Sequence, residues 1–168
     1  MTFKSLYLLE RRNLLLCPVI GVAVDDWSDD DLRQHARDSL GDAPFDPEVF
    51  DRFVGRLSYV QGDFDDDTTY QRLGAALDDA RTTVFYLEIP PFLFERVVRG
   101  LHDAGLTTGA RVVVEKPFGH DLASARELNA QLRQFIDESQ LYRIDHFLGK
   151  LSVVDVMFLR FANTMLEP

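Results

Sequence analysis

Five short apolar runs, separated by segments with helical spacing, constrain the fold more than any other feature of the chain. The runs cover residues 19–24, 57–61, 83–89, 110–115 and 141–145. Helical patterns cover residues 2–15, 29–40, 47–57, 68–80, 92–104 and 121–139. Strands that alternate with helices are typical of βαβ units. We therefore predict an α/β fold with a doubly wound, mostly parallel sheet.

Local signals agree with this alternation. Pro18 ends the first helical pattern, and Ser28 begins the N-cap signature S-x-x-D ahead of the second. Pro91 suits the first turn of the helix over residues 92–104, because its missing N–H has no partner to lose there. The last segment, residues 151–168, is predicted to form a further helix.

The composition limits the classes of partner. The 168 residues are 46% apolar, which is enough for one domain with a sizeable core. A formal net charge of −10 argues against nucleic acid and anionic membranes as partners. The single cysteine, Cys17, excludes an internal disulfide, and the charged N-terminus does not match a signal peptide. We expect a soluble, cytoplasmic protein.

Polar residues follow four of the five predicted strands, and Pro90 and Pro91 follow the strand over residues 83–89, at the point where ligands bind in a doubly wound sheet. Two of these segments, EKPFGHD from residue 115 and DHFLGK from residue 145, each contain a carboxylate, a lysine and a histidine. Either segment alone fits a solvated turn. Both at the same edge of one sheet indicate a site that holds an anion.

The two lysine-containing segments have features that suit a ligand site. Lys116 precedes Pro117, which keeps Lys116 out of helical geometry and allows a cis peptide bond. His146 and Lys150 are four residues apart, so on a helix beginning there they share one face near its positive end. That arrangement suits a phosphate. The rival interpretation, Asp145 and His146 as a catalytic pair, requires a turn between them, because adjacent strand residues point to opposite faces.

The acidic run from Asp63 to Asp67 is better explained as a solvated turn than as a metal loop, because its spacing matches no known binding loop. We predict no metal site. Asp63 itself comes directly after a strand and is a candidate cofactor contact.

Two motifs together resemble the glucose-6-phosphate dehydrogenase family. VVVEKPFGHDLASA is followed by YRIDHFLGK and LRFAN, with VIGVA and VFYLEIPP upstream in the family's order. EKP alone also occurs in the glucose–fructose oxidoreductase family, but EKPFG together with RIDHxLGK is specific. The resemblance covers essentially the whole chain and implies a Rossmann-like dinucleotide-binding domain.

The resemblance implies oxidation of glucose 6-phosphate to 6-phosphogluconolactone with hydride transfer to NADP, in the pentose phosphate pathway. His146 and Lys150 would bind the sugar phosphate, and Lys116 would contact both the substrate and the nicotinamide end of the cofactor. Asp145 would orient the catalytic histidine that takes the proton of the C1 hydroxyl. Tyr86, Pro90 and Pro91 would lie along the cofactor.

The chain departs from the family in two ways that concern its extent. It begins just after the position of the family's first strand and GxxGDLA loop, and its only histidine after Asp145 is His146. We therefore expect an incomplete sheet that lacks its first, central strand. Residues 1–150 would form a partial dinucleotide-binding domain, and residues 151–168 would begin the α+β substrate and dimerisation domain. The isolated chain is expected to be inactive and prone to aggregate; the alternative is a non-catalytic remnant with at most residual phosphosugar or nucleotide binding.

A third departure concerns the cofactor. Where the family has VGVAR, with an arginine for the NADP 2′-phosphate, this chain has Val24 followed by Asp25 and Asp26. A carboxylate at this strand end normally binds a free ribose 2′-hydroxyl and repels a phosphate. NAD is therefore possible beside NADP, unless another cation replaces the arginine. Family members associate through the second domain, so the parent is expected to be a homo-oligomer, while the state of this chain stays open.

Overall fold

The computed structural model describes residues 2–41, 45–77, 80 and 82–145. The chain forms two compact units, Met1–Ala76 and Leu77–Pro168. Each unit contains its own parallel sheet, with two strands in the first and three in the second. The predicted α/β fold with parallel strands and alternating helices is confirmed.

The first unit is a two-stranded parallel sheet with four helices. Its elements are α1 (Thr2–Arg11), β1 (Val19–Ala23), α2 (Asp29–Asp38), α3 (Pro47–Val54), β2 (Leu57–Gln61) and α4 (Asp67–Ala76). Val19 lies opposite Leu57 and Ala23 opposite Gln61. The core contains Tyr7, Leu32, Ala36, Phe50, Phe53 and Leu57.

The second unit is a three-stranded parallel sheet in the order β3-β4-β5. Its elements are β3 (Val84–Leu87), α5 (Phe94–Asp103), β4 (Arg111–Glu115), α6 (Leu122–Leu132) and β5 (Leu141–Ile144), with short 3₁₀ turns at Pro91–Leu93 and Glu138–Gln140. Val112, Val113 and Val114 of the middle strand are all buried. That continuous burial explains why β4 appears in the sequence as an unbroken apolar run.

Five of the described helices end two or more residues earlier than predicted, with α1 and α6 among them. α1 ends at Arg11 rather than at residue 15, because Asn13 adopts a left-handed conformation with φ of 55° and the amide of Leu14 bonds back to the carbonyl of Leu9. α6 ends at Leu132, and Asp137 then caps a separate 3₁₀ turn. The predicted helix over residues 151–168 and the domain boundary at residue 150 lie outside the described residues. No described helix is both long and apolar enough to cross a membrane.

A buried carboxylate joins α1 to α3. The Glu10 side chain is 2% exposed, and its two oxygens accept hydrogen bonds from Nε of Arg56 at 2.7 Å and Nε of Arg52 at 3.3 Å. The hydrogen bond from Arg56, supported by its charge and by Arg52, outweighs burial and lowers the pKa of the Glu10 carboxyl. Glu10 therefore stabilises the first unit as an anion.

The substitution Arg56→Ala is expected to destabilise the first unit by about 1–3 kcal/mol, because it leaves a buried carboxylate with one arginine. Urea unfolding followed by the fluorescence of Trp27, the only tryptophan, measures this. Because the pKa of Glu10 is lowered in the folded state, the pair stabilises the fold above the ordinary pKa of 4.5 and loses this effect as the pH falls through the lowered pKa.

The matched control is Arg72→Ala in α4 of the same unit, where the exposed side chain donates to the carbonyl of Thr68 and lies near the exposed carboxylate of Asp66. We expect a change within about 0.5 kcal/mol for this control. Equal effects of the two substitutions at neutral pH would contradict the stabilising role of Glu10.

Candidate functional site

The carboxyl edge of the second unit brings together Lys116 and Asp145, which belong to the two segments predicted to share one sheet edge. β4 ends at Glu115 and β5 at Ile144, and these two residues are opposite each other in the parallel register. The next residue of each strand is therefore at the same level. Nζ of Lys116 lies 2.8 Å from Oδ1 of Asp145, with the lysine side chain 52% and the aspartate side chain 25% exposed. This is a solvent-accessible ion pair at the strand ends.

The turn after Lys116 is fixed by its own backbone and by the cap of the next helix. The Lys116–Pro117 peptide bond is cis, an isomer that the sequence left open. Gly119 has φ of 113°, and a Cβ there would lie 2.6 Å from the amide nitrogen of Ala125 at the start of α6. Only glycine fits that position. Asp121 then caps α6 in a capping box with Ser124.

Tyr86 contacts a residue that the sequence reasoning missed. Its hydroxyl donates a hydrogen bond to Oε1 of Glu115 on the neighbouring strand. Burial, followed by the hydrogen bond and the charge of Glu115, raises the pKa of the Tyr86 phenol above its ordinary range. Tyr86 lies opposite Val113. Glu115 is two residues further along β4, and strand periodicity could have identified it as a same-face neighbour.

The other predicted cofactor contacts of this unit lie in the segment after β3. Pro90 precedes the 3₁₀ turn Pro91–Leu93, and its carbonyl accepts the amide of Leu93 at 2.9 Å. This turn leads directly into α5, which begins at Phe94 rather than at the predicted residue 92. The role of Pro90 and Pro91 at a cofactor stays a prediction.

The carboxyl edge of the first unit carries Val24, Asp25 and Asp26, all exposed. The hydroxyl of Tyr59 on β2 lies 3.0 Å from the carbonyl oxygen of Ala23 and 2.9 Å from that of Asp25. The sequence reasoning missed this contact, since nothing local in the sequence indicates where a tyrosine hydroxyl reaches across a sheet.

Asp63 is engaged in local structure. Its Oδ1 accepts the amide of Asp65 at 2.9 Å, and its carbonyl accepts the Thr69 hydroxyl at 2.7 Å. Gly62 before it has no room for a side chain, because a Cβ would lie 2.4 Å from Thr69. The acidic run is a turn as expected, and a cofactor contact by Asp63 stays a prediction.

The proposed phosphate ligands His146 and Lys150 lie outside the described residues, as does the rival Asp145–His146 pairing. Within residues 2–41, 45–77, 80 and 82–145, no three His, Cys, Asp or Glu side chains are grouped so that they could hold a metal ion.

The substitution Glu115→Gln is expected to lower the pKa of the Tyr86 phenol, because it removes a negative charge beside the hydroxyl. Absorbance at the tyrosinate band during an alkaline titration measures this, and Tyr86→Phe identifies which step belongs to Tyr86. An unchanged Tyr86 titration in Glu115→Gln would contradict the contact.

Comparison with known proteins matches this chain to one protein family. Residues 1–155 match the family model described as the NAD binding domain of glucose-6-phosphate dehydrogenase. The chain is 52% identical over 167 residues to glucose-6-phosphate 1-dehydrogenase 1 of Mycobacterium tuberculosis. The aligned region covers 99% of this chain and 36% of that protein. It is 40% identical over 168 residues to the glucose-6-phosphate 1-dehydrogenase of Dickeya dadantii, covering 96% of this chain and 34% of that protein. The chain thus spans about a third of the length of the curated relatives it matches.

Solved structures give the same answer at the level of the fold. A crystal structure of glucose-6-phosphate 1-dehydrogenase from Mycobacterium avium superposes with a TM-score of 0.88 at 51% identity, over 99% of this chain and 37% of that one. A glucose-6-phosphate dehydrogenase in complex with glucose 6-phosphate superposes with a TM-score of 0.87 at 35% identity, over 98% of this chain and 37% of that one. The family match, the sequence identity and the fold agree, and the chain belongs to the glucose-6-phosphate dehydrogenase family, whose NAD-binding domain it matches.

Proposed function

We propose that this chain supplies the dinucleotide-binding part of a glucose-6-phosphate dehydrogenase, which oxidises glucose 6-phosphate to 6-phosphogluconolactone. The observation that carries the proposal is the Lys116–Asp145 ion pair at the carboxyl edge of β4 and β5. A nicotinamide dinucleotide accepts the hydride when it is bound. The residues described below bind and orient the reacting groups.

Lys116 is suited to hold an oxygen-rich substrate. Its ammonium group has three donor hydrogens, and within the described part of the chain its ion-pair partner is Oδ1 of Asp145 at 2.8 Å. With a half-exposed side chain, the group can donate further hydrogen bonds to substrate oxygens at the strand ends. Asp145 keeps the ammonium at this edge and, by resemblance to the family, orients the histidine that takes the C1 hydroxyl proton.

The phosphate is assigned to His146 and Lys150, by resemblance and by their spacing in the sequence. Two cationic groups one helical turn apart are suited to a dianionic phosphoryl group. They directly follow Asp145, so the sugar phosphate and Lys116 would share the same strand end. The acidic chain therefore binds an anion by a local concentration of positive charge.

The alternative function is a non-catalytic remnant that retains only residual phosphosugar or nucleotide binding. It predicts that a phosphosugar or a dinucleotide binds at this edge without turnover. The resemblance further implies a cytoplasmic, homo-oligomeric parent enzyme.

The substitution Lys116→Gln is expected to weaken glucose 6-phosphate binding by about tenfold or more, because it removes a charge-assisted hydrogen bond. Isothermal titration calorimetry with the 168-residue chain measures the dissociation constant. The matched control is Lys4→Gln on the exposed surface of α1, for which we expect a change within about twofold. If Lys116→Gln and the unmodified chain bind glucose 6-phosphate with equal affinity, Lys116 does not bind the substrate and the proposal is wrong on this point.

We also infer that the chain accepts NAD as well as NADP. Val24, at the position where the family resemblance implies an arginine, is 60% exposed after the end of β1 and is followed by two carboxylates. Several arginines of the unit have partners elsewhere. Arg33 donates to the carbonyls of Val54 and Leu57 at the opposite, amino edge of β2, and Arg37 lies over the rings of Phe45 and Phe50. These contacts argue against Arg33 and Arg37 as replacements for the missing arginine.

The unmodified chain is expected to bind NAD at least as tightly as NADP, and Val24→Arg is expected to strengthen NADP binding by about tenfold. Fluorescence titration with the reduced dinucleotides measures both constants. The control Leu16→Arg adds the same charge at an 81% exposed position of this unit and is expected to leave the ratio within about twofold. A strong preference of the unmodified chain for NADP would refute the inference.

A further inference from the structure

A single side chain of β2 holds the turn between β1 and α2, residues 24–28. Tyr59 lies opposite Gly21 in the parallel register. A Cβ on Gly21 would lie 3.5 Å from the Tyr59 ring and 3.3 Å from the methyl groups of Leu32, so the absence of a side chain leaves space for both. The tyrosine hydroxyl reaches the last carbonyl of β1, that of Ala23, and the carbonyl of Asp25.

These two carbonyls are the fixed points of the turn. The Ala23 carbonyl also accepts the amide of Gly62 at 2.8 Å, and the Asp25 carbonyl also accepts the amide of Trp27 at 2.9 Å. The single hydroxyl hydrogen of Tyr59 is therefore shared between one carbonyl oxygen before Val24 and one after it. With these two peptide groups held, the backbone directions of Val24 and Asp25 are set.

The far end of the turn is tied to the same residue. The backbone amide of Tyr59 donates to Oδ1 of Asp29 in the first turn of α2 at 2.7 Å. Ser28 and Asp31 close the start of that helix with a capping box. The Trp27 ring lies 6.0 Å from the Tyr59 ring, between centroids. Tyr59 thus connects the end of β1, the turn and the beginning of α2.

We propose that Tyr59 is a positioning residue for cofactor specificity. Its hydroxyl holds the turn after β1 so that Asp25 stands at the ribose 2′ position of the dinucleotide, and this sets the discrimination between a 2′-hydroxyl and a 2′-phosphate. The inference rests on the proposed function, since it requires that a dinucleotide binds at this edge. On this inference, the discrimination between NAD and NADP depends on the fixed backbone of residues 24–28 as well as on the Asp25 carboxylate.

The physical reason is preorganisation. The Asp25 carboxylate can repel a 2′-phosphate, or accept a hydrogen bond from a 2′-hydroxyl, only if it stays beside the ribose. In a mobile turn the carboxylate would spend part of the time away from the ribose and discriminate less. Burial, followed by the charges of Asp25 and Asp26, raises the pKa of the Tyr59 phenol. The hydroxyl therefore remains a donor at neutral pH, and its titration reports on the two nearby carboxylates.

The test is Tyr59→Phe in the 168-residue chain, with NADH and NADPH as the probes. Loss of the hydroxyl is expected to lower the ratio of the NADPH dissociation constant to the NADH dissociation constant by about 3- to 10-fold. The matched control is Tyr70→Phe in α4 of the same unit. The Tyr70 hydroxyl also donates to a backbone carbonyl, that of Phe64 at 2.9 Å, but this carbonyl is outside the turn. Its loss is expected to leave the ratio within about twofold.

The outcomes separate the inference from the function on which it rests. An unmodified chain that binds neither dinucleotide refutes the proposed function and, with it, the inference. Binding by the unmodified chain with the same ratio in Tyr59→Phe overturns the inference alone. Equal shifts in Tyr59→Phe and Tyr70→Phe indicate general loosening and also overturn it.

A second variant covers the case in which Tyr59→Phe does not fold. Asp25→Asn retains the backbone carbonyl that the Tyr59 hydroxyl bonds, and removes the charge. It is expected to lower the ratio in the same direction and to lower the pKa of the Tyr59 phenol in an alkaline absorbance titration. An unchanged ratio or an unchanged phenol titration in Asp25→Asn would overturn the inference.

Discussion

The parallel register between β4 and β5 is the constraint on which the candidate site depends. Because Glu115 lies opposite Ile144, the residues that follow, Lys116 and Asp145, leave the sheet at the same level. Their side chains meet at 2.8 Å. A shift by one residue would send one of the two side chains to the other face of the sheet. The three buried valines of β4 oppose such a shift, since it would expose part of the core. The chemistry at the edge is therefore a consequence of packing inside the sheet.

In the first unit, hydrogen bonds fix the position of the residues at the carboxyl edge of the sheet. The turn after β1 is polar and exposed, so apolar packing does not fix its conformation. Instead, Tyr59 uses its hydroxyl and its amide to hold the two ends of the turn, and the cap of α2 completes the arrangement. The buried Glu10 joins α1 to α3 in the same unit. Specific polar contacts thus define local geometry where apolar contacts cannot.

Much of the fold follows from the sequence, because the period of the apolar residues and the caps are local signals. The five strands lie within two residues of the predicted runs, and the capping box at Ser28 formed as its sequence indicated. The meeting of Lys116 and Asp145 was also predictable, since both directly follow strands of one parallel sheet. The contacts of Tyr59 were not, because they depend on register and on rotamers that pair residues 30–36 positions apart along the chain. The Tyr86–Glu115 contact, 29 positions apart, follows from strand periodicity only once the register is known. The early end of α1 depended on a left-handed asparagine, Asn13.

The central claim is that the strand ends carrying Lys116 and Asp145 form a binding site for a phosphorylated sugar. A crystal structure of this chain with glucose 6-phosphate tests it most directly. We predict electron density for the sugar phosphate with an oxygen within hydrogen-bond distance of Nζ of Lys116, at the carboxyl edge of β4 and β5. Density for the sugar phosphate at any other place, without an oxygen near Nζ of Lys116, would contradict the account.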